Sequence, residues 1–132
     1  MDRRGFVNID LLQFCRDWLR AWTGNNPDGL LALYHPEVYY SDPANRDGIT
    51  GKENLGKYLG ALLNRNPEWV WRAEELFDVR NGFVVKWHAT IPVGEEVVEE
   101  KGMDLVILKD GLIIRNEVYF GTAALSRATG RT

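Results

Sequence analysis

A single cysteine, Cys15, occurs in this 132-residue chain, so no internal disulfide can form, and its place in an apolar helical stripe assigns it to core packing. Histidine is equally scarce. The two present, His35 and His88, are far apart, no cysteine pair accompanies them, and neither an H-E-x-x-H nor a C-x-x-C motif occurs. A dedicated metal site is therefore not expected. A glycine-rich phosphate loop is missing too, so no nucleotide cofactor is expected. There is no basic run: 16 Lys and Arg stand against 19 Asp and Glu, a formal charge of −3. Nucleic-acid binding normally leaves a Lys/Arg footprint, so that class is set aside. No apolar run approaches the roughly 18 residues that span a bilayer. The start Met1-Asp2-Arg3-Arg4-Gly5 lacks the apolar stretch of a secretory signal, so a cytoplasmic chain without membrane contact is expected. Whatever chemistry the chain performs must then be acid–base chemistry by side chains.

Apolar residues are plentiful, at 45%, with five Trp, five Tyr and five Phe, enough for one domain over 1–132 with an ordinary core. Leu11, Cys15, Trp18 and Trp22 recur at helical spacing, predicting a first helix from about Asn8 to Trp22 that stops at Gly24. Asn26-Pro27 reads as the cap and first turn of a second helix running to Pro36. A short strand, Val38–Ser41, and a polar loop follow. Thr50-Gly51-Lys52-Glu53 then reads as a capping box opening a third helix to about Asn64. Beyond it β-branched and aromatic residues dominate, and Asn81-Gly82 and Asp110-Gly111 mark reversals between strands near Trp69–Val79, Phe83–Ile91, Val97–Leu108 and Leu112–Phe120. A polar tail begins at Ser126. Three N-terminal helices on one side of a curved, mostly antiparallel sheet make an α+β fold.

Asp42 falls where the short strand breaks at Ser41-Asp42-Pro43, beside aromatic segments that could form an apolar hollow. Burial raises a carboxylate's pKa, so Asp42 is a candidate general base; the plainer reading is an Asp-Pro turn whose side chain bonds its own backbone. The facing of Asp104 depends on hairpin register. A three-residue turn Lys109-Asp110-Gly111 places Asp104 and Asn116 on one face, the preferred reading, whereas a two-residue turn sets Asp104 beside Glu117. His88 alternates with Lys86 and Thr90 on the outer sheet face; reversed register would make it an acid–base candidate. His35 is expected to cap a helix end. Trp18, Tyr34, Tyr40, Trp87 and Phe120 are candidate ligand contacts, with Asn116 as a polar group among them. Trp69 and Trp71 share one face of their strand and Arg72 takes the other. Indoles on the outer face would mark an interface.

The order Asp28-Gly29-Leu30-Leu31-Ala32-Leu33-Tyr34-His35-Pro36-Glu37-Val38-Tyr39-Tyr40-Ser41-Asp42-Pro43, then Thr50-Gly51-Lys52-Glu53, resembles the front half of the nuclear-transport-factor-two-like superfamily. Gly102-Met103-Asp104, Lys109-Asp110-Gly111 and Asn116-Glu117-Val118-Tyr119-Phe120 look like the closing hairpin of SnoaL-like polyketide cyclases and ketosteroid-isomerase-like proteins. The resemblance implies a cone-shaped fold enclosing a pocket and a two-fold dimer through the sheets. It matches Asp42 to the isomerase general base and Asp104 to the acid that such enzymes keep protonated against an oxyanion, a tuning for which ketosteroid isomerase is itself the standard example. Trp18 stands where those isomerases carry an oxyanion-hole tyrosine. The implied function is a cofactor-independent isomerase, cyclase or dehydratase acting on a small apolar carbonyl or hydroxyl compound. A non-catalytic ligand-binding or dimerisation domain is the alternative. An epoxide hydrolase would require an arginine between two carboxylates, and Arg72 and Arg115 fall in no Arg-x-Asp pattern.

Overall fold

The computed structural model describes residues 10–121; Asn8, where the first helix was expected to begin, and the tail from Ser126 lie outside them. Helix α1 (Leu11–Thr23) is capped by Asp10, whose carboxylate accepts from Gln13 N, and it buries Cys15, Trp18, Leu19 and Trp22. Helix α2 is a single short turn, Pro27–Leu31, capped by Asn26 as the sequence implies. It does not reach Pro36. Strand β1 (Tyr34–Asp42) begins earlier than expected and absorbs His35 and Pro36. The pairing of β1 with its neighbour shifts register between Tyr34 and Tyr39, so Pro36, which has no N–H, sits where the ladder is already interrupted. His35 consequently caps no helix; its Nδ1 accepts from the Glu37 N–H at 3.0 Å.

The segment read as a polar loop is strand β2 (Asn45–Thr50), paired antiparallel with β1. Thr50 is paired with Tyr39 in that ladder, and the capping box does not form: helix α3 (Lys52–Arg65) starts from Gly51 at φ 89°, with no side-chain cap. A left-handed φ favours glycine, which explains why the chain turns there. Leu55, Leu59 and Leu63 recur every four residues along α3 and are fully buried. Each contributes about 1.5–3 kcal/mol of apolar burial.

Strands β3 (Val70–Val79), β4 (Gly82–Val93), β5 (Glu96–Lys109) and β6 (Leu112–Phe120) follow as antiparallel hairpins close to the expected bounds. The six strands form one mixed sheet in the order β2-β1-β6-β5-β4-β3, with β1 parallel to β6. The architecture is α+β. Along β4, Phe83, Val85, Trp87, Ala89 and Ile91 point to the core while Lys86, His88 and Thr90 face outward, as their alternation predicts.

The β5–β6 turn decides where Asp104 points. It is the two-residue Asp110-Gly111 turn, both residues at positive φ, pairing Lys109 with Leu112, and not the preferred three-residue turn. A register shift after Leu108, with Leu108 opposite Ile113 and Ile107 opposite Arg115, then skips one residue of β6. The bulge undoes the face swap that the shorter turn would cause. Asp104 therefore pairs with Val118 and shares the inner face with Asn116, whereas Glu117 faces outward opposite Leu105.

Candidate active site

Helices α1 and α3 and the inner sheet face bound a cavity of about 540 Å³. That volume suits a small organic molecule. All five tryptophans line it, as do Tyr40, Tyr58, Phe120, Asp42 and Asp104.

Asp104, 4% exposed, receives two hydrogen bonds: Trp87 Nε1 donates to Oδ1 at 2.7 Å and Asn116 Nδ2 to Oδ2 at 2.8 Å. Asn116 is itself held, since its Oδ1 accepts from the Tyr34 hydroxyl at 2.8 Å, which accepts in turn from Trp18 Nε1 at 3.0 Å. The donors thus run in one direction, from Trp18 through Tyr34 and Asn116 to Asp104. Burial pushes the Asp104 carboxyl from the ordinary 3.8 up to about 7, against the opposing pull of its two donors and with a smaller push from the charge of Asp42. Each carboxylate oxygen can accept about two bonds, so each oxygen of Asp104 keeps one acceptor site free.

Asp42 is bonded differently. Its Oδ1 accepts from Ala44 N at 3.0 Å, Asn45 N at 2.8 Å and Asn45 Nδ2 at 3.0 Å. Its Oδ2 accepts from the hydroxyls of Tyr40 at 2.7 Å and Tyr58 at 2.6 Å. Asp42 starts a turn through its own side chain, as the plainer reading has it, and it also lies on the cavity wall. Five donors fill the roughly four acceptor sites of a carboxylate. Burial raises the Tyr40 and Tyr58 hydroxyls above the usual tyrosine range, and Asp42 adds to the effect in both. Both stay protonated donors near neutral pH.

Of the expected ligand contacts, Trp18, Tyr40, Trp87 and Phe120 line the cavity. Tyr34 and Asn116 do not. Both are fully buried behind the wall, tied into the chain that ends on Asp104. Glu117 and His88 face away. Glu117 bonds Arg115 and the Tyr119 hydroxyl, and the tyrosine first, then the arginine, hold its carboxyl below the usual range. His88 lies between Glu99, at 2.5 Å, and Glu74, at 3.7 Å, on the outer face. Trp69 and Trp71 point into the cavity and Arg72 out, so the outer face carries no indoles at this edge. Cys15 is core, its thiol pushed up to about 12 chiefly by burial.

Sequence reasoning missed Tyr58, Arg65 and Glu100 on the cavity wall. A signal existed for each. Tyr58, Leu62 and Arg65 follow helical spacing along α3, and Glu100, Gly102 and Asp104 alternate along β5. Among the described residues, no group of three or more His, Cys, Asp or Glu is placed to hold a metal, and no helix is long and apolar enough to cross a membrane.

Residues 15–116 match the family model of the SnoaL-like domain. The chain belongs to that family. No curated protein is detectably similar in sequence to this SnoaL-like domain. Among solved structures it is similar to a hypothetical protein with a ketosteroid isomerase-like fold from Catenulispora acidiphila, in complex with trimethylamine: TM-score 0.79 and 17% identity, over 93% of this chain and 96% of that one. TerC, co-crystallised with polyporic acid, gives 0.77 and 14% over 90% and 97%. AclR from Streptomyces galilaeus, a putative hydroxylase, gives 0.75 and 13% over 92% and 98%. Identities this low establish a common fold and leave activity to the site.

Proposed function

We propose that this SnoaL-like domain is a cofactor-independent acid–base enzyme acting on a small, largely apolar carbonyl or hydroxyl compound, with Asp104 as the group that moves the proton. The observation that carries this reading is the state of Asp104: buried on the cavity wall, held by two donors, with free acceptor sites and a pKa near 7. A base is most useful when its pKa lies near the working pH. Asp104 removes a proton from the carbon beside a carbonyl, the electron pair moves onto the carbonyl oxygen, and the Tyr58 hydroxyl turns its single O–H from Asp42 to that oxygen. Asp42, with five donors for roughly four acceptor sites, holds Tyr58 in place before substrate binds and keeps Tyr40 and its backbone donors when Tyr58 turns away. This departs from the roles expected from the isomerase resemblance, where Asp42 was the base and Asp104 the oxyanion partner: Asp104 takes the base role and Tyr58 the oxyanion role. Where the proton returns separates isomerisation, cyclisation and dehydration. Such general acid–base help is worth about 10²–10⁴ in rate.

The test works without an identified substrate. Small ketones and enones that bind by ligand-observed NMR are incubated with the protein in D₂O, and exchange of the hydrogens beside the carbonyl is followed. Exchange that disappears in Asp104→Asn supports the enzyme; binding without exchange in the wild type favours a non-catalytic ligand-binding domain, the reading to which the turn-forming role of Asp42 is also suited.

A second copy of the chain is the proposed partner of the outer sheet face. Phe77, Met103 and Tyr119 are 42%, 41% and 59% exposed there. An apolar surface of that kind favours association. Sedimentation should give a dimer that Met103→Lys weakens, and a monomeric wild type would refute it.

A further inference from the structure

Across the inner sheet face, Trp71 and Glu100 flank Ala89 from the neighbouring strands, so the cavity wall carries an indole and, two strands away, a carboxylate that the proton-transfer chemistry leaves unused. Glu100, Gly102 and Asp104 alternate along the inner face of β5, with Glu100 opposite Ala89 and Gly102 opposite Trp87. Gly102 provides the space for Trp87 to lie across the strand, because a Cβ there would come within 2.4 Å of the Trp87 ring. Trp71 meets Trp87 at 4.7 Å between centroids and 79°, and Trp69 meets Trp71 at 5.8 Å and 79°. Successive walls therefore stand nearly at right angles. Trp87 is buried, whereas Trp69 and Trp71 are only partly so and keep ring surface for a ligand. Glu100, half-buried on the same wall, has one hydrogen bond among the described residues, from the Lys101 backbone N–H at 3.3 Å. Among the described residues none of the ion pairs within 4.0 Å involves it.

We infer that the ligand of this cavity carries a cationic amine, seated against Trp69 and Trp71 and facing Glu100. Indole faces attract cations through the ring quadrupole, most strongly where water is excluded, and a carboxylate beside them supplies the counter-charge. Among the described residues, the ionisable groups lining the cavity include the carboxyls of Asp42, Asp104 and Glu100 against one guanidinium, Arg65. The charge of Arg65, at the end of α3, acts on Tyr58, and among the described residues no Lys or Arg of β3, β4 or β5 lines the cavity. The assignment rests on the cavity proposed above as a substrate site and narrows the substrate class to amine-bearing compounds.

The experiment compares three probes of nearly equal shape by calorimetry or ligand-observed NMR: choline, its neutral isostere 3,3-dimethylbutan-1-ol, and the anion 3,3-dimethylbutanoate. Choline is expected to bind at least tenfold more tightly than the neutral isostere. Glu100→Gln should reduce that preference several-fold while leaving the affinity for the neutral isostere within twofold. Trp71→Leu provides a second variant acting on the cation face. Equal binding of choline and the alcohol, or tighter binding of the anion, overturns the inference. The outcome separates from that of the enzyme reading: deuterium exchange on neutral ketones without cation preference sinks this inference alone, and cation preference without exchange sinks the enzyme alone.

Discussion

Replacing Asp104 by Asn should change how stability depends on pH more than it changes stability at any one pH. The folded-state pKa of about 7 lies above the ordinary 3.8, because burial penalises the charged form. Below about pH 3.8 the group is protonated in both states and contributes no pH dependence. Between 3.8 and 7 the unfolded chain releases the proton and the folded chain keeps it, so stability falls as pH rises; above 7 the loss is complete. At about 1.4 kcal/mol per pH unit the whole rise corresponds to roughly 4 kcal/mol. Titration curves with these two pKa values place about 3 kcal/mol of it between pH 5 and 8. Urea unfolding followed by tryptophan fluorescence at several pH values measures it, since all five tryptophans lie around the cavity. The wild type should lose about 3 kcal/mol more than Asp104→Asn between pH 5 and 8, and contributions common to both proteins cancel in the difference. The mutant carries its own pH-independent cost: its amide must place an NH₂ against one of two donors, Trp87 or Asn116, at about 1–3 kcal/mol. Parallel pH profiles for the two proteins would refute the buried, proton-holding Asp104 and with it the proposed base.

Gly102→Ala should destabilise by about 1–3 kcal/mol, because its Cβ would meet the Trp87 ring at 2.4 Å and the Tyr119 carbonyl at 2.7 Å; a change in tryptophan emission should accompany the lowered urea midpoint, and an unchanged midpoint would show that Trp87 does not lie over this strand. Tyr58→Phe removes one of five donors from Asp42 and should cost about 1–2 kcal/mol while abolishing deuterium exchange on bound ketones. Full exchange in that variant would remove Tyr58 from the reaction. Tyr34→Phe takes the acceptor from Trp18 Nε1 and the donor from Asn116 Oδ1, both buried, and should cost about 2–5 kcal/mol by chemical denaturation with little direct effect on ligand affinity. The opposite pattern, weaker binding at unchanged stability, would restore Tyr34 as a ligand contact.

What the sequence made legible was whatever a short-range period records. The stripe of Leu11, Cys15, Trp18 and Trp22 gave α1, and the alternation from Phe83 to Ile91 gave β4 with its faces correctly assigned. Strand β2 was hidden because Asn45-Arg46-Asp47-Gly48 is polar on both sides, as befits an edge strand whose pairing with β1 supplies what its side chains do not. The capping box failed for a related reason: pairing of Thr50 with Tyr39 competes with capping, and tertiary context decided it. The site was partly legible in the same sense. Asp42 and Asp104 stood out as carboxylates among apolar neighbours, but which lone pairs remain free depends on donors far away in the chain: Tyr58 is 16 residues from Asp42, and Trp87 is 17 from Asp104. No local pattern encodes that difference. The β6 bulge makes the point most sharply. One skipped residue sets the face of Asn116, Asn116 orients Asp104, and the distinction between a buried base and an outward carboxylate such as Glu117 rests on that irregularity. The chemistry of this cavity is therefore a consequence of strand register, and a variant that restored regular pairing of β5 with β6 would turn Asn116 away from Asp104 and leave the carboxyl without one of its two donors.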